Sequence, residues 1–180
     1  MIEVRLGELE NVPSAGIVRP VTAEWTAVTA AMRRVEAAAG EEIERQCRAM
    51  GELPVGSAIV TSAGGLPAEL MIHVVVRSAS EPVSAGGVAR ALSNGLRRAD
   101  EWGIDSLTMP PLGVGAGNMD AESAADVMVP ILKEWLRTDR QPRRIVVVVE
   151  SEYEREAFER ATGPDGVRDG GVIGLPTLDP

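Results

Sequence analysis

Aromatic side chains are nearly missing from this 180-residue chain, at 3% of positions. Its interior must therefore be aliphatic, and an apolar content of 44% supplies enough for a real core. Cysteine occurs once, as Cys47, so no internal disulfide forms, and a reducing, cytoplasmic setting is the expectation. One Cys beside one His also excludes a self-contained Cys/His zinc site, and neither a metal nor a cofactor is expected. No apolar run approaches the roughly 20 residues that cross a bilayer. The opening Met1-Ile2-Glu3-Val4-Arg5 lacks the long apolar centre of a secretion signal. Positive charge is short as well, because 18 Lys and Arg against 27 Asp and Glu leave a net charge of −9. A general nucleic-acid binder needs basic residues to displace counterions from phosphates, so neither nucleic acid nor membrane is expected as a partner.

What the chain does have is an alternation of two periodicities. Ile2 to Leu6 alternates apolar and polar residues as a half-buried strand does. Ala15 to Val18, Gly56 to Thr61, Leu70 to Val76, Ser106 to Met109 and Ile145 to Val149 are further strands, two of them solidly apolar and hence covered on both faces. Helical spacing predicts helices over residues 25–39, 41–50 and 88–102, from Asp120 to Trp135, and over 152–161. Pro130 should kink or split the fourth of these, since its ring removes a ladder bond. Strands alternating with helices imply an α/β class, a three-layer α/β/α sandwich with a mixed central sheet. Residues 1–162 read as one domain, and Gly and Pro multiply in 163–180, which reads as a C-terminal tail.

The densest signal is Pro110-Pro111-Leu112-Gly113-Val114-Gly115-Ala116-Gly117-Asn118-Met119-Asp120. A strand enters it and a helix leaves it. Three glycines in five positions bare the main chain, so a ligand can approach the amides closely. The helix behind adds a positive dipole end, and together these favour a phosphate or pyrophosphate. A tight chain reversal without a ligand would also use glycines. No Lys-Ser or Lys-Thr follows the last glycine, so this is not a Walker loop. As a dinucleotide fingerprint its third glycine comes one position early.

In order and spacing, four blocks resemble the macro domain family, the ADP-ribose-binding fold. They are Gly7-Glu8-Leu9 with Pro13 to Val18; Val55 to Thr61 with Gly64-Gly65-Leu66-Pro67-Ala68 and Ile72-His73; Asp105 to Gly117; and Ile145 to Val149. The resemblance implies ADP-ribose or a related nucleotide as ligand, held by Leu112, Gly113, Val114, Gly115, Ala116, Gly117, Asn118 and Met119. It assigns Glu8, with Leu9 beside it, to the acid that accepts from the adenine amino group, although an exposed acid in a turn reads equally well. Ile17 and Val18 are an adenine wall or strand core. Asn118 stands where related loops carry glycine and suits a left-handed turn.

Departures from the family lie between residues 19 and 29. The family's strand ends in Asn-Ala-Ala-Asn, whose last Asn meets the distal ribose, whereas here Arg19-Pro20-Val21-Thr22 stands, with Thr22 at the ribose position. The family's next loop is glycine-rich and closes over the diphosphate. Ala23 to Thr29 holds no glycine and reads as helical, so half of the cradle is expected to be lost. Arg19 either approaches a phosphate from the loop's open side or pairs with a surface acid. His73, between Ile72 and Val74, reads as a buried, hydrogen-bonded histidine in preference to a catalytic base. Asp120 reads as a helix N-cap.

The functions open at this level are binding of ADP-ribose or a related nucleotide, ADP-ribosyl hydrolysis with unassigned catalytic residues, and a scaffold for protein association. In the last, Trp25 would block the cleft. Self-association is left open.

Overall fold

In the computed structural model, which describes residues 1–164, β2 (Gly16–Thr22) is buried along its whole length although it carries an arginine and a proline. It lies inside a six-stranded sheet of order β1-β6-β5-β2-β4-β3, built from β1 (Ile2–Leu6), β3 (Ala58–Ser62), β4 (Leu70–Arg77), β5 (Ser106–Met109) and β6 (Arg144–Val149). Neighbouring strands run parallel except for the β3–β4 pair at one edge, so the sheet is mixed. The Val- and Ile-rich runs of β4 and β6 are buried on both faces, as strands between two helical layers must be.

One face is covered by α1 (Ala30–Ala39) and α2 (Glu41–Ala49), and the other by α3 (Ala85–Glu101), α4 (Ala121–Leu136) and α5 (Glu152–Thr162). Ile17, Val21, Met71 and Val75 point to the first layer, and Val18, Ile72, Val74 and Val76 to the second. This is the expected α/β/α sandwich. Of the proposed tail, only residues 163 and 164 are described, and 165–180 lie outside the described residues.

Three helices depart from their sequence reading. The first begins at Ala30, capped by Thr29, whose side chain accepts from the Met32 amide, instead of near Trp25. Residues 22–29 form an irregular turn, because Trp25 adopts a left-handed φ of 70° that no helix contains. The third begins at Ala85 and includes Gly86 and Gly87. In the fourth, Pro130 does not split the helix. Both Pro130 and Asp126, whose carbonyl loses its ladder partner, face water, which can hydrate the freed oxygen.

Strand order sets where a crevice opens. From β2 the chain passes through α1 on one face, and from the adjacent β5 it passes through α4 on the other. Ligands bind at such switch points in open α/β sheets, beyond the carboxyl ends of the strands. Pro20 lines the gap that opens where β5 ends. The Ala15 carbonyl accepts from Leu70 of β4, so odd-numbered residues of β2 bond toward β4 and even-numbered ones toward β5. Only Gly16 and Ile17 have register partners in β5, which leaves Pro20 lining a gap where no amide is required.

Candidate functional site

The cleft at this switch point has a volume of about 330 Å³. Its walls are Leu9, Pro20 and Val28, the first turn of α1 from Thr29 to Met32, Pro110 and Pro111, Gly113 to Gly115, Val148, Glu150 and Glu154. Two sets of main-chain groups bound it. The first is the loop after β5, where Gly113 and Gly115 hold φ of 85° and 77°. A Cβ on Gly113 would stand 2.8 Å from Val83 Cγ1, so the position takes only glycine for both dihedral and space. Arg77 of β4 holds the loop from behind, its Nη1 donating to the Ala116 carbonyl at 3.1 Å.

The second set is the amino end of α1. A helix start leaves its first N–H groups without an acceptor in the helix. Thr29 satisfies one of them, its side chain taking the Met32 amide, while its carbonyl takes the Arg33 amide as the first regular helical bond. The amides of Ala30 and Ala31, both cleft residues, have no acceptor within the helix. A Cβ on Gly115 would lie 3.2 Å from Thr29 Cγ2, so the loop and the helix end meet across the cleft. From sequence, residues 23–29 remove half of the amide cradle. In the fold they turn and deliver a helix end to it.

Charge at the rim is acidic, with one arginine shared between two of three carboxylates. Arg34 of α1 bonds Glu10 and Glu150, and Glu154 accepts from the Glu150 amide at 2.8 Å. Glu154 is half-buried with its carboxylate at the cleft wall.

The residues singled out from sequence divide into three groups. Gly113, Val114, Gly115 and Leu9 line the cleft. Leu112 and Ala116 are buried beneath the loop, Met119 packs on the α3/α4 side, and Gly117 and Asn118 face solvent. Asn118 is not left-handed: the loop's positive φ values fall on its glycines. The third group lies outside the cleft. Glu8 is exposed and accepts from Asn11 Nδ2 at 2.9 Å. Ile17 and Val18 point to opposite faces of the sheet, so they form core and not a shared wall. Thr22 is buried, with its hydroxyl 2.7 Å from that of Thr26, closing the turn.

Arg19 does not reach toward an anion. It is buried to 1% exposure between β2 and the α1/α2 layer. There it donates to His73 Nδ1 at 3.0 Å, to the Trp25 carbonyl at 3.1 Å and to Glu36 of α1. Because arginine only donates, His73 Nδ1 accepts, and its proton sits on Nε2, which bonds Thr61 Oγ1 at 2.8 Å. Burial, and then the adjacent Arg19 cation, push the His73 pKa down to about 3. It is a neutral core histidine, as its apolar flanks indicate. Trp25 does not block the cleft. Its indole is buried in the α1/α2 layer, edge-on to His73, with Nε1 donating to the Gly51 carbonyl at 2.7 Å.

Sequence reasoning misses Pro20, the Thr29–Met32 turn, Val148, Glu150 and Glu154. Thr29 ahead of Ala-Ala-Met is a legible capping signal, but Thr22-Ala-Glu competes with it. The acids after β6 carry no spacing that marks them.

Comparison with known proteins gives one consistent result. The macro domain family model matches residues 28–128. A protein of Pyrobaculum aerophilum without an assigned function is 36% identical over 121 residues, covering 67% of this chain and 64% of that one. The chain thus spans just under two thirds of that relative's length. An O-acetyl-ADP-ribose deacetylase of Enterobacter is 28% identical over 91% of this chain and 97% of its own. A Trypanosoma brucei macrodomain solved in complex with ADP is similar with a TM-score of 0.81 at 16% identity, over 90% of this chain and 69% of that one. The last likeness concerns the fold alone.

Proposed function

Since the chain belongs to the macro domain family, we propose that its cleft binds ADP-ribose or a related nucleotide diphosphate. The phosphates lie between the Gly113–Gly115 main chain and the Ala30 and Ala31 amides. The observation that carries this reading is the meeting of two amide sources across one cleft at the sheet's switch point. Main-chain donors and a helix dipole neutralise an anion without lysine or arginine, which suits a chain of net charge −9. The apolar walls, Leu9, Pro20, Met32 and Val148, offer a surface for a nucleoside.

Thermal denaturation with ADP-ribose tests it. A ligand at a hundredfold excess over Kd stabilises the fold by about 2.7 kcal/mol. Gly115→Glu, which sets a carboxylate against Thr29, abolishes that shift. No stabilisation of the wild type at millimolar ADP-ribose would reject the reading.

A hydrolytic reading is favoured by one observation, the deacetylase that is similar over nearly all of both chains. In it Glu154, held at the cleft wall, is the group able to take a proton from water. Release of acetate from O-acetyl-ADP-ribose measures this. Glu154→Gln stops turnover while leaving ADP-ribose binding within about twofold, and unchanged turnover would remove Glu154 from the role.

A further inference from the structure

Arg19 lies outside the cleft, yet its bonds converge on the part of the chain that builds one wall of it. We propose that Arg19 is a positioning residue for the nucleotide cleft: a buried cation that fixes the 22–29 turn and the amino end of α1 where the Ala30 and Ala31 amides face the glycine loop. This role rests on the binding reading above and adds the device that shapes the site.

The geometry carries it in three steps. Arg19 ties three elements together, through His73 on β4, the Trp25 carbonyl in the turn and Glu36 on α1. The Trp25 and Glu36 contacts bracket Thr29 to Met32, which forms the cleft wall, on either side in sequence. The turn also needs an external hold, because Trp25 is the non-glycine residue with a left-handed φ among those described. A bulky side chain at such a φ is strained and persists only when its surroundings over-determine it. Here the surroundings are the Gly51 carbonyl on the indole, Thr22 on the Trp25 amide and Arg19 on the Trp25 carbonyl. Of these three hydrogen-bonding partners, Arg19 is the one that also bonds α1, so it ties the turn to the helix.

Hydrogen exchange and calorimetric titration with ADP-ribose, on the full chain, test this together. The variants are Arg19→Met, Arg19→Lys and, as a control of comparable destabilisation on the opposite face, Leu132→Ala. In Arg19→Met, the Trp25 to Met32 amides exchange about tenfold faster, those of 113–115 are unchanged, and ADP-ribose affinity falls about tenfold. Arg19→Lys, which keeps the charge near Glu36, recovers part of both effects. Leu132→Ala leaves affinity within about twofold, which separates positioning from general loss of stability. A folded Arg19→Met protein with wild-type exchange at 25–32 overturns the inference whether or not ADP-ribose binds. Wild-type affinity in that variant overturns it as well. Absence of binding by the wild type rejects the binding reading instead, and the exchange readout still decides the role of Arg19. If Arg19→Met does not fold, Arg19→Met with Glu36→Leu, which leaves no unpaired buried charge, replaces it under the same criteria.

Discussion

The two faces of the sheet are built on different principles. Beneath α3, α4 and α5 the packing is apolar throughout, with Phe158, Met128, Leu132, Leu92 and Leu96 against Val74, Val76 and Val147. Beneath α1 and α2 the apolar packing surrounds a chain of polar contacts, from Glu36 through Arg19 and His73 to Thr61. Apolar contacts tolerate sliding, since any well-filled arrangement of similar area is nearly as good. A hydrogen-bonded chain allows one arrangement. The face beneath α3, α4 and α5 is held by area alone, and the face that carries α1 beside the cleft is pinned.

The largest effects come from attacking each face in its own terms. Phe158→Ala empties a fully buried site under α5 and lowers unfolding free energy by about 3–5 kcal/mol in urea denaturation. Glu36→Ala has a comparable cost of about 3–5 kcal/mol, because Arg19 remains buried with its charge uncompensated. Arg19→Met costs less, as Glu36, with 16% of its side chain exposed, can turn to water. Combining Arg19→Met with Glu36→Leu, which sets two apolar side chains against each other, leaves a loss of about 1–3 kcal/mol, from the unpaired His73 Nδ1 and Trp25 carbonyl, and so recovers part of the cost of Glu36→Ala.

The next prediction distinguishes the faces by pH. His73 is neutral in the fold, with a pKa near 3 against 6.5 when free. The unfolded chain therefore binds a proton that the folded one refuses between those values, and stability is present above pH 6.5 and lost as pH falls. By pH 5, still above the carboxylate range, the loss is about 2 kcal/mol, measured as a shift in urea midpoint. His73→Gln flattens the curve in that window, and a wild-type slope in the variant would assign the pH dependence elsewhere. The smallest effect is local. Thr29→Ala removes the cap of α1 and costs about 1 kcal/mol, accompanied by weaker ADP-ribose binding in the same titration.

How much of this can be read from the chain follows from the range of the forces involved. The strands and the α/β/α layering are legible because β4 and β6 are continuous apolar runs and the helices between them keep a 3.6 period. The glycine loop is legible because three closely spaced glycines after a strand answer to a local backbone demand. The α1 start is not, because Thr29 and Thr22 offer similar local capping, and the choice is made by Arg19 and Gly51, distant contacts that hold Trp25 left-handed. Arg19 itself misleads for the same reason. An arginine in a strand promises a ligand or a surface until the register sets His73 beside it. Glu150 and Glu154 reach the cleft only because β6 pairs with β5, which spacing along the chain does not record.

Pro20 has a consequence for kinetics. Past Ile17, β2 has no register partner in β5, and Pro20 offers no donor with which the two could zip shut, so they stand parted before any guest arrives. Entry then requires no breaking of main-chain bonds and no slow opening step. Association with a small dianion should proceed in a single phase whose rate rises linearly with concentration, governed by diffusion into a socket already formed.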